Sequence, residues 1–399
     1  MLGAAGVALR VRSKSMSSGG VAHPIRRSLA KGYFKSGLRW SFKGRQLSTK
    51  SAFATPYPDD APAGARWLAC NFTHTANRDG RLLPGLHKLD VERDWLLHDP
   101  STYAEHLRLK RDALAKRRSS TFRVAHPRCV GAQKEVLMLV MHHLATRFPS
   151  SFSLLKNREE IKVHVEHENG CVHETYNVET VGSCLAPLEL AGMLLQEDLV
   201  LVRPGAGGEG HHVDAGFVTF SFGRVHERVG MTLEQIHQNV DRYDVDLTKP
   251  VNRFFDRLAS TAPAWRTNFG LTWSPTLVPG RERYPFRDAY AAGSTVDSAA
   301  EWMLRRIDEC GVGHAMYLKV EYQTIRRLCE SEYMLFTVRS FVEPLSSLAT
   351  VPDAANALAL NVRHCARGDF KYYLGLEDER VRHAVLEYLD HLAMPSGNR

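Results

Sequence analysis

Paired cysteines, a membrane-length apolar run and any acid before Asp59 are all missing from this chain of 399 residues. Its seven cysteines (Cys70, Cys129, Cys171, Cys184, Cys310, Cys329 and Cys365) are odd in number and scattered, with no C-x-x-C pair. That argues against a disulfide framework, a zinc site or a cysteine-ligated iron–sulfur cluster, and for a reducing compartment. A membrane helix needs about 20 consecutive apolar residues. The longest such run, Val136 to Leu144, is broken by His142 and His143. Nor is there a nucleophile elbow, an H-E-x-x-H pair or a P-loop. The loop from Gly205 to Gly210 is glycine-rich, but it lacks the Lys-Ser/Thr ending of a P-loop and the Rossmann spacing, so it reads as a hairpin tip.

The net charge of +8 is a local property. Eleven basic residues lie between Arg10 and Lys50, while the other 349 residues hold 41 of the 52 basic groups against all 44 acids, a net of −3. A basic body would argue for nucleic acid; a mildly acidic body behind a basic leader does not. The leader is rich in Arg, Ser and Ala, the composition of a mitochondrial transit peptide, and Arg45-Gln46-Leu47-Ser48 resembles a matrix-protease site. These features divide the chain into a presequence at 1–47, a Pro/Ala-rich linker at 48–65 and a folded body at 66–395. The matrix is the expected location.

Within the body, Asp99-Pro100 has the form of a helix start, and Ser101 to Lys116 carries Tyr103, Leu107 and Leu114 along one side. Leu137, Val140, Met141, Leu144 and Phe148 recur at helical spacing. Ile161, Val163 and Val165 then alternate with polar residues, and Asn169-Gly170 predicts a hairpin with a primed turn leading into Cys171 to Tyr176. A second antiparallel pair is expected at Asp198 to Arg203 and His212 to Phe222. Thr232 to Gln235 has capping-box spacing, and Val251, Phe254, Phe255 and Leu258 mark an apolar stripe. Strands follow at Met316 to Gln323 and Tyr333 to Phe341, and an amphipathic helix carries Val381, Val385, Leu389 and Leu392. This order predicts α+β with an antiparallel sheet core and flanking helices, not an alternating parallel fold.

Polar groups concentrate in the two antiparallel regions: Glu197 and Asp198 before a strand, His237 in a short helix, Trp265-Arg266-Thr267-Asn268, and Glu321 to Arg327. Such density beside apolar strands means either ligand binding or buried ion-pair networks. Several of these blocks are similar to one family. They are Gln196-Glu197-Asp198-Leu199, Ile236-His237, Val320 to Leu328, Phe336-Thr337-Val338-Arg339, and Pro84-Gly85-Leu86 with Trp95 and Asp99. Together, over roughly residues 80–345, the chain resembles the haem-dependent oxidative N-demethylase α-subunit-like proteins. The resemblance implies a PAS-like fold holding haem b, and a monooxygenase that removes a methyl group from a small secondary amine such as dimethylamine. O₂ is then the oxidant and formaldehyde the co-product, with electrons from NAD(P)H through a flavin and iron–sulfur reductase partner.

On that resemblance His237 is the first candidate for the iron's axial donor, since neutral imidazole is the usual protein ligand; His226 and His212 stand in reserve. The His142-His143 pair, on a core-facing helix, reads as structural. Arg266 and Arg326 are candidates for the haem propionates, which a planar guanidinium can grip with two hydrogen bonds. Glu197 or Glu321 is expected to hold a substrate ammonium or to relay protons. Two other readings stay open. Where the family runs Pro-Val-Pro after the Ile-His step, this chain has Asn239-Val240-Asp241, which favours a PAS-like haem or small-ligand sensor without turnover. A purely structural protein predicts no chromophore.

Overall fold

The computed structural model describes Gly64 and residues 85–394, apart from 156–158, 179–184, 206–208, 222–223, 241–242, 279–295 and 365–374. The presequence at 1–47, Pro84, and all of the linker but Gly64 lie outside the described residues. What is described belongs to one compact unit, Leu47–Arg399.

Seven strands form the main sheet, in the spatial order β1 (His87–Lys88), β8 (Ala264–Thr272), β9 (Tyr317–Arg327), β10 (Met334–Pro344), β6 (Asp198–Arg203), β7 (His212–Phe217) and β2 (Phe122–Val124). Every neighbouring pair is antiparallel. The remaining strands, β3 (Phe152–Leu155), β4 (Glu160–Val165) and β5 (Val172–Asn177), make a small antiparallel sheet of their own. Mixed helix and antiparallel sheet is thus the architecture, as the segment order predicts.

Local chemistry explains the elements. Helix α1 (Pro100–Thr121) starts where the Asp99 carboxylate accepts the Ser101 N–H at 2.9 Å, with Pro100 at a position that needs no donor. Helix α2 (Val130–Arg147) buries Leu137, Val140, Met141 and Leu144 of the predicted stripe, with Val136 beside them, while Phe148 is the half-buried residue that ends the helix. Short helix α3 (Pro187–Leu194) is buried throughout. Helix α4 (Leu233–Ile236) has its capping box in place between Thr232 and Gln235. Helix α5 (Thr248–Arg257) is fastened at its end by Arg327, which donates to the carbonyls of Phe255 (2.9 Å) and Leu258 (2.6 Å). Helices α6 (Val296–Cys310), α7 (Val312–Ala315), α8 (Pro352–His364) and α9 (Glu379–Ala393) complete the chain. Val381, Val385, Leu389 and Leu392 of α9 are buried as their spacing predicts.

Two expectations are corrected. The β4–β5 pairing ends at Val165 opposite Val172, so six residues connect the strands and not a two-residue primed turn. Gly170 donates to the His167 carbonyl at 2.9 Å and closes a four-residue turn from its last position. Strand β7 ends at Phe217, well before Phe222. The chain leaves the sheet there because the Asp198 carboxylate gathers the backbone N–H groups of Thr219, Phe220 and Ser221 and the Ser221 hydroxyl, at 2.7–2.9 Å.

Helix α3 and strand β7 pack in close contact. A Cβ added at Gly192 would stand 2.5 Å from the Phe217 ring, which is itself fully buried. Gly192→Ala should therefore destabilise the fold by about 1–3 kcal/mol through overpacking. A lowered urea midpoint with unchanged slope would show this, and an unchanged midpoint would contradict the packing described.

Candidate functional site

Strand β9 sorts its side chains by alternation. Leu318, Val320, Tyr322, Thr324 and Arg326 lie on one face; Lys319, Glu321, Gln323, Ile325 and Arg327 lie on the other. Register extends both faces across the sheet. Arg266 stands opposite Gln323 and Asn268 opposite Glu321, while Arg339 stands opposite Tyr322. The first face is covered by α1, α2 and α3 and, towards Leu318 and Val320, by the C-terminal helices. The second carries a smaller apolar cluster of Val200, Val202, Leu233, Phe255, Ile325 and Met334.

On the second face, α4 delivers His237 at its C-terminal end. The His237 Nδ1 lies 2.7 Å from the Leu233 carbonyl oxygen, which makes Nδ1 the protonated nitrogen and leaves the lone pair on Nε2. Burial, then the nearby Arg266 and Arg228, hold the imidazole pKa below its ordinary value, so the ring is neutral at physiological pH; the Leu233 contact opposes this in part. Tyr243 stacks on the ring at 4.6 Å and 11°. Arg228 donates to the Ile236 carbonyl at 2.7 Å and fixes the turn that carries the histidine. Deeper on the same face, Glu321 pairs with Lys319 at 2.5 Å and accepts from Gln323 Nε2 at 3.1 Å. Lys319 also donates to the Ser221 carbonyl at 2.7 Å, tying this pair to the Asp198-centred turn.

The first face holds a different polar cluster. Glu197 is 2% exposed; one oxygen accepts the Leu97 N–H at 2.8 Å and the other is buried with no hydrogen-bond partner. Burial raises its pKa, against the pull of Arg339 and Lys110. Lys110 is caged by the carbonyls of Gly192, Leu195 and Glu197 at 2.8, 2.7 and 2.5 Å. Burial lowers its pKa to about 8. His106 Nδ1 is 3.0 Å from both Gln196 Nε2 and Arg339 Nη1.

The sheet therefore divides the residues the sequence singled out. His237, Arg266 and Glu321 share one face. Glu197 and Arg326 belong to the other, so the two arginines lie on opposite faces of the sheet, as do the two glutamates. Arg326 lies over the Trp95 ring at 4.2 Å, its Nε buried without a hydrogen-bond partner. Of the reserve histidines, His226 is exposed and His212 has its Nδ1 3.2 Å from the Gly210 carbonyl oxygen. His143 packs edge-on against Trp95 at 4.8 Å, the structural role expected for the His142-His143 pair. Sequence reasoning passed over Lys319, although it sits two residues before Glu321 and so must share its face. It also passed over Tyr243, for which no local pattern gives a signal.

A sequence model of the family described as haem-dependent oxidative N-demethylase, alpha subunit-like, matches residues 85–386. The chain belongs to that family. Members of the haem-dependent oxidative N-demethylase α-subunit-like family carry haem dependence and an oxidoreductase class in their description, and "alpha subunit" implies a partner subunit. No helix among the described residues is long and apolar enough to cross a membrane. The donor chemistry on the second face fits a haem: His237 is neutral, with Nδ1 committed to a carbonyl and Nε2 left as the donor, the arrangement that orients metal-binding imidazoles.

His106 provides a test of the first face. Burial, then Arg339 and Lys110, lower its pKa from 6.5 to about 2. As pH falls below 6.5 the unfolded chain takes up this proton and the folded chain does not, so stability present at neutral pH is lost progressively towards pH 2. Each such proton contributes a slope of about 1.4 kcal/mol per pH unit. His106→Gln should flatten the pH dependence by about one proton. Urea unfolding of both proteins at neutral pH and near pH 5 measures it; equal slopes would place His106 outside this buried cluster.

Proposed function

We propose that this protein is the haem-binding subunit of an oxidative N-demethylase acting on a small secondary amine such as dimethylamine, with formaldehyde as product. The observation that carries the reading is His237: a half-buried, neutral imidazole with one nitrogen anchored and the other left as donor, on the sheet face that also holds Arg266 and Glu321. Family membership supplies the cofactor class, and we take the haem to be haem b and the sheet to be PAS-like. Electrons would arrive from a flavin and iron–sulfur reductase partner, consistent with a sequence that has no C-x-x-C pair to ligate a cluster of its own. The acid-free basic leader supports a mitochondrial matrix location.

In this reading His237 would hold the iron, with the Leu233 carbonyl fixing its tautomer and Tyr243 fixing the plane of the ring. Arg266 would balance a propionate charge. When bound, the haem supplies the oxidative chemistry at the N-methyl carbon, as cofactors do for reactions that side chains cannot perform. The chain's own share is recognition and proton handling. Glu321 is already held by Lys319 and Gln323, which fixes its carboxylate group on the second face as the group that would meet an alkylammonium. Lys319, hydrogen-bonded to the Ser221 carbonyl, keeps that carboxylate in place.

Reconstitution with haem tests the proposal. Wild type should show a Soret band, and His237→Ala should retain haem about tenfold less well or worse, with added imidazole restoring the spectrum. Glu321→Gln should keep the Soret band and lose formaldehyde release from dimethylamine with an electron donor. Absence of any Soret band in wild type would defeat the reading. A band with CO binding but no formaldehyde from any small methylamine would select the sensor alternative.

A further inference from the structure

Away from both faces of the main sheet, the β4–β5 hairpin displays a second set of donors. Ile161, Val163 and Val165 turn inward with Val172, which leaves His164 and Glu166 on the outer side. His164 stands directly opposite His173 in the strand register. The two Nδ1 atoms are 2.9 Å apart, and Glu166 Oε1 is 3.6 Å from His164 Nε2 and 3.5 Å from His173 Nε2. One donor atom from each residue can be chosen so that all three lie within 4.8 Å of one another.

We propose that His164, His173 and Glu166 form a surface site for a first-row divalent cation, zinc foremost, unrelated to haem. Two imidazoles and a carboxylate are a complete protein ligand set for zinc with the fourth position left to water. Bonds of about 2.0–2.2 Å in a tetrahedron separate neighbouring ligand atoms by about 3.4 Å. Glu166 Oε1 already stands 3.6 and 3.5 Å from the two Nε2 atoms, and a set of one donor from each residue lies within 4.8 Å, so small side-chain rotations would close the site. The antiparallel register and the alternation of β4 bring the three side chains together before any ion arrives. The absence of C-x-x-C pairs has no bearing on this site, whose donors are nitrogen and oxygen. In the three-stranded sheet β5 is an outer strand, so a bound ion would clamp it to β4.

Zinc titration of the metal-stripped, haem-free full chain, followed by calorimetry, decides the matter. Wild type should bind one more equivalent at micromolar zinc than the His164→Ala/His173→Ala variant. Glu166→Gln should weaken that equivalent by about tenfold. Zinc should also raise the thermal midpoint of wild type more than that of the double variant, since ligand binding to the folded state stabilises it. The histidines are each 47% exposed, so the variants should fold; if the double variant does not, His173→Gln alone carries the same comparison. Identical isotherms for wild type and variant, or binding only at millimolar zinc, would overturn the proposal.

Discussion

The side-chain alternation of the β9–β10 hairpin is the constraint on which the rest of the molecule depends. Eleven register pairs hold these strands together, from Tyr317 opposite Pro344 to Arg327 opposite Met334. A slip of one residue would exchange the two faces entirely. Tyr322, whose hydroxyl donates to the buried Asp94 carbonyl at 2.9 Å, would then point towards α5, and Glu321 would enter the large helix-covered core. Packing on the first face thus enforces the placement of Glu321 on the second.

The two faces treat charge differently. On the first, Arg339 is sealed against His106 and Glu197, and burial lowers the guanidinium pKa as it raises that of the carboxylate. Such groups are costly to bury and resist replacement one at a time, because each removal strands a charged partner. On the second face, Arg266, Gln323 and Glu321 are only half-buried, which suits groups that must meet a ligand. Ionisation is perturbed on both faces, at His106, Lys110 and Glu197 on the first and at His237 on the second.

Much of the fold was legible because it rests on periodicity. The stripe of α2, the Thr232–Gln235 cap and the spacing of Val381, Val385, Leu389 and Leu392 are local signals, and each element lies where its signal predicts. Strand ends were harder. Phe217 ends β7 because of Asp198, a carboxylate on another strand whose catch of three N–H groups leaves no mark in the local sequence. The candidate site was half legible. Resemblance picked out His237, Arg266 and Glu321, but it could not separate them from Glu197 and Arg326, since facing depends on register between strands distant in the chain. Alternation within β9 could have separated Glu321 from Arg326 directly, being five positions apart and so opposite in phase.

Arg327 has a bearing on tolerance to substitution. One planar guanidinium reaches two carbonyl oxygens at the end of α5, through Nε to Leu258 and Nη2 to Phe255. A lysine brings a single nitrogen on a flexible stem and lacks this preset fork, so holding both oxygens would demand more ordering of the side chain. Charge would be conserved while the latch between helix and strand loosened, and the roof above the second face would lose its fixed height.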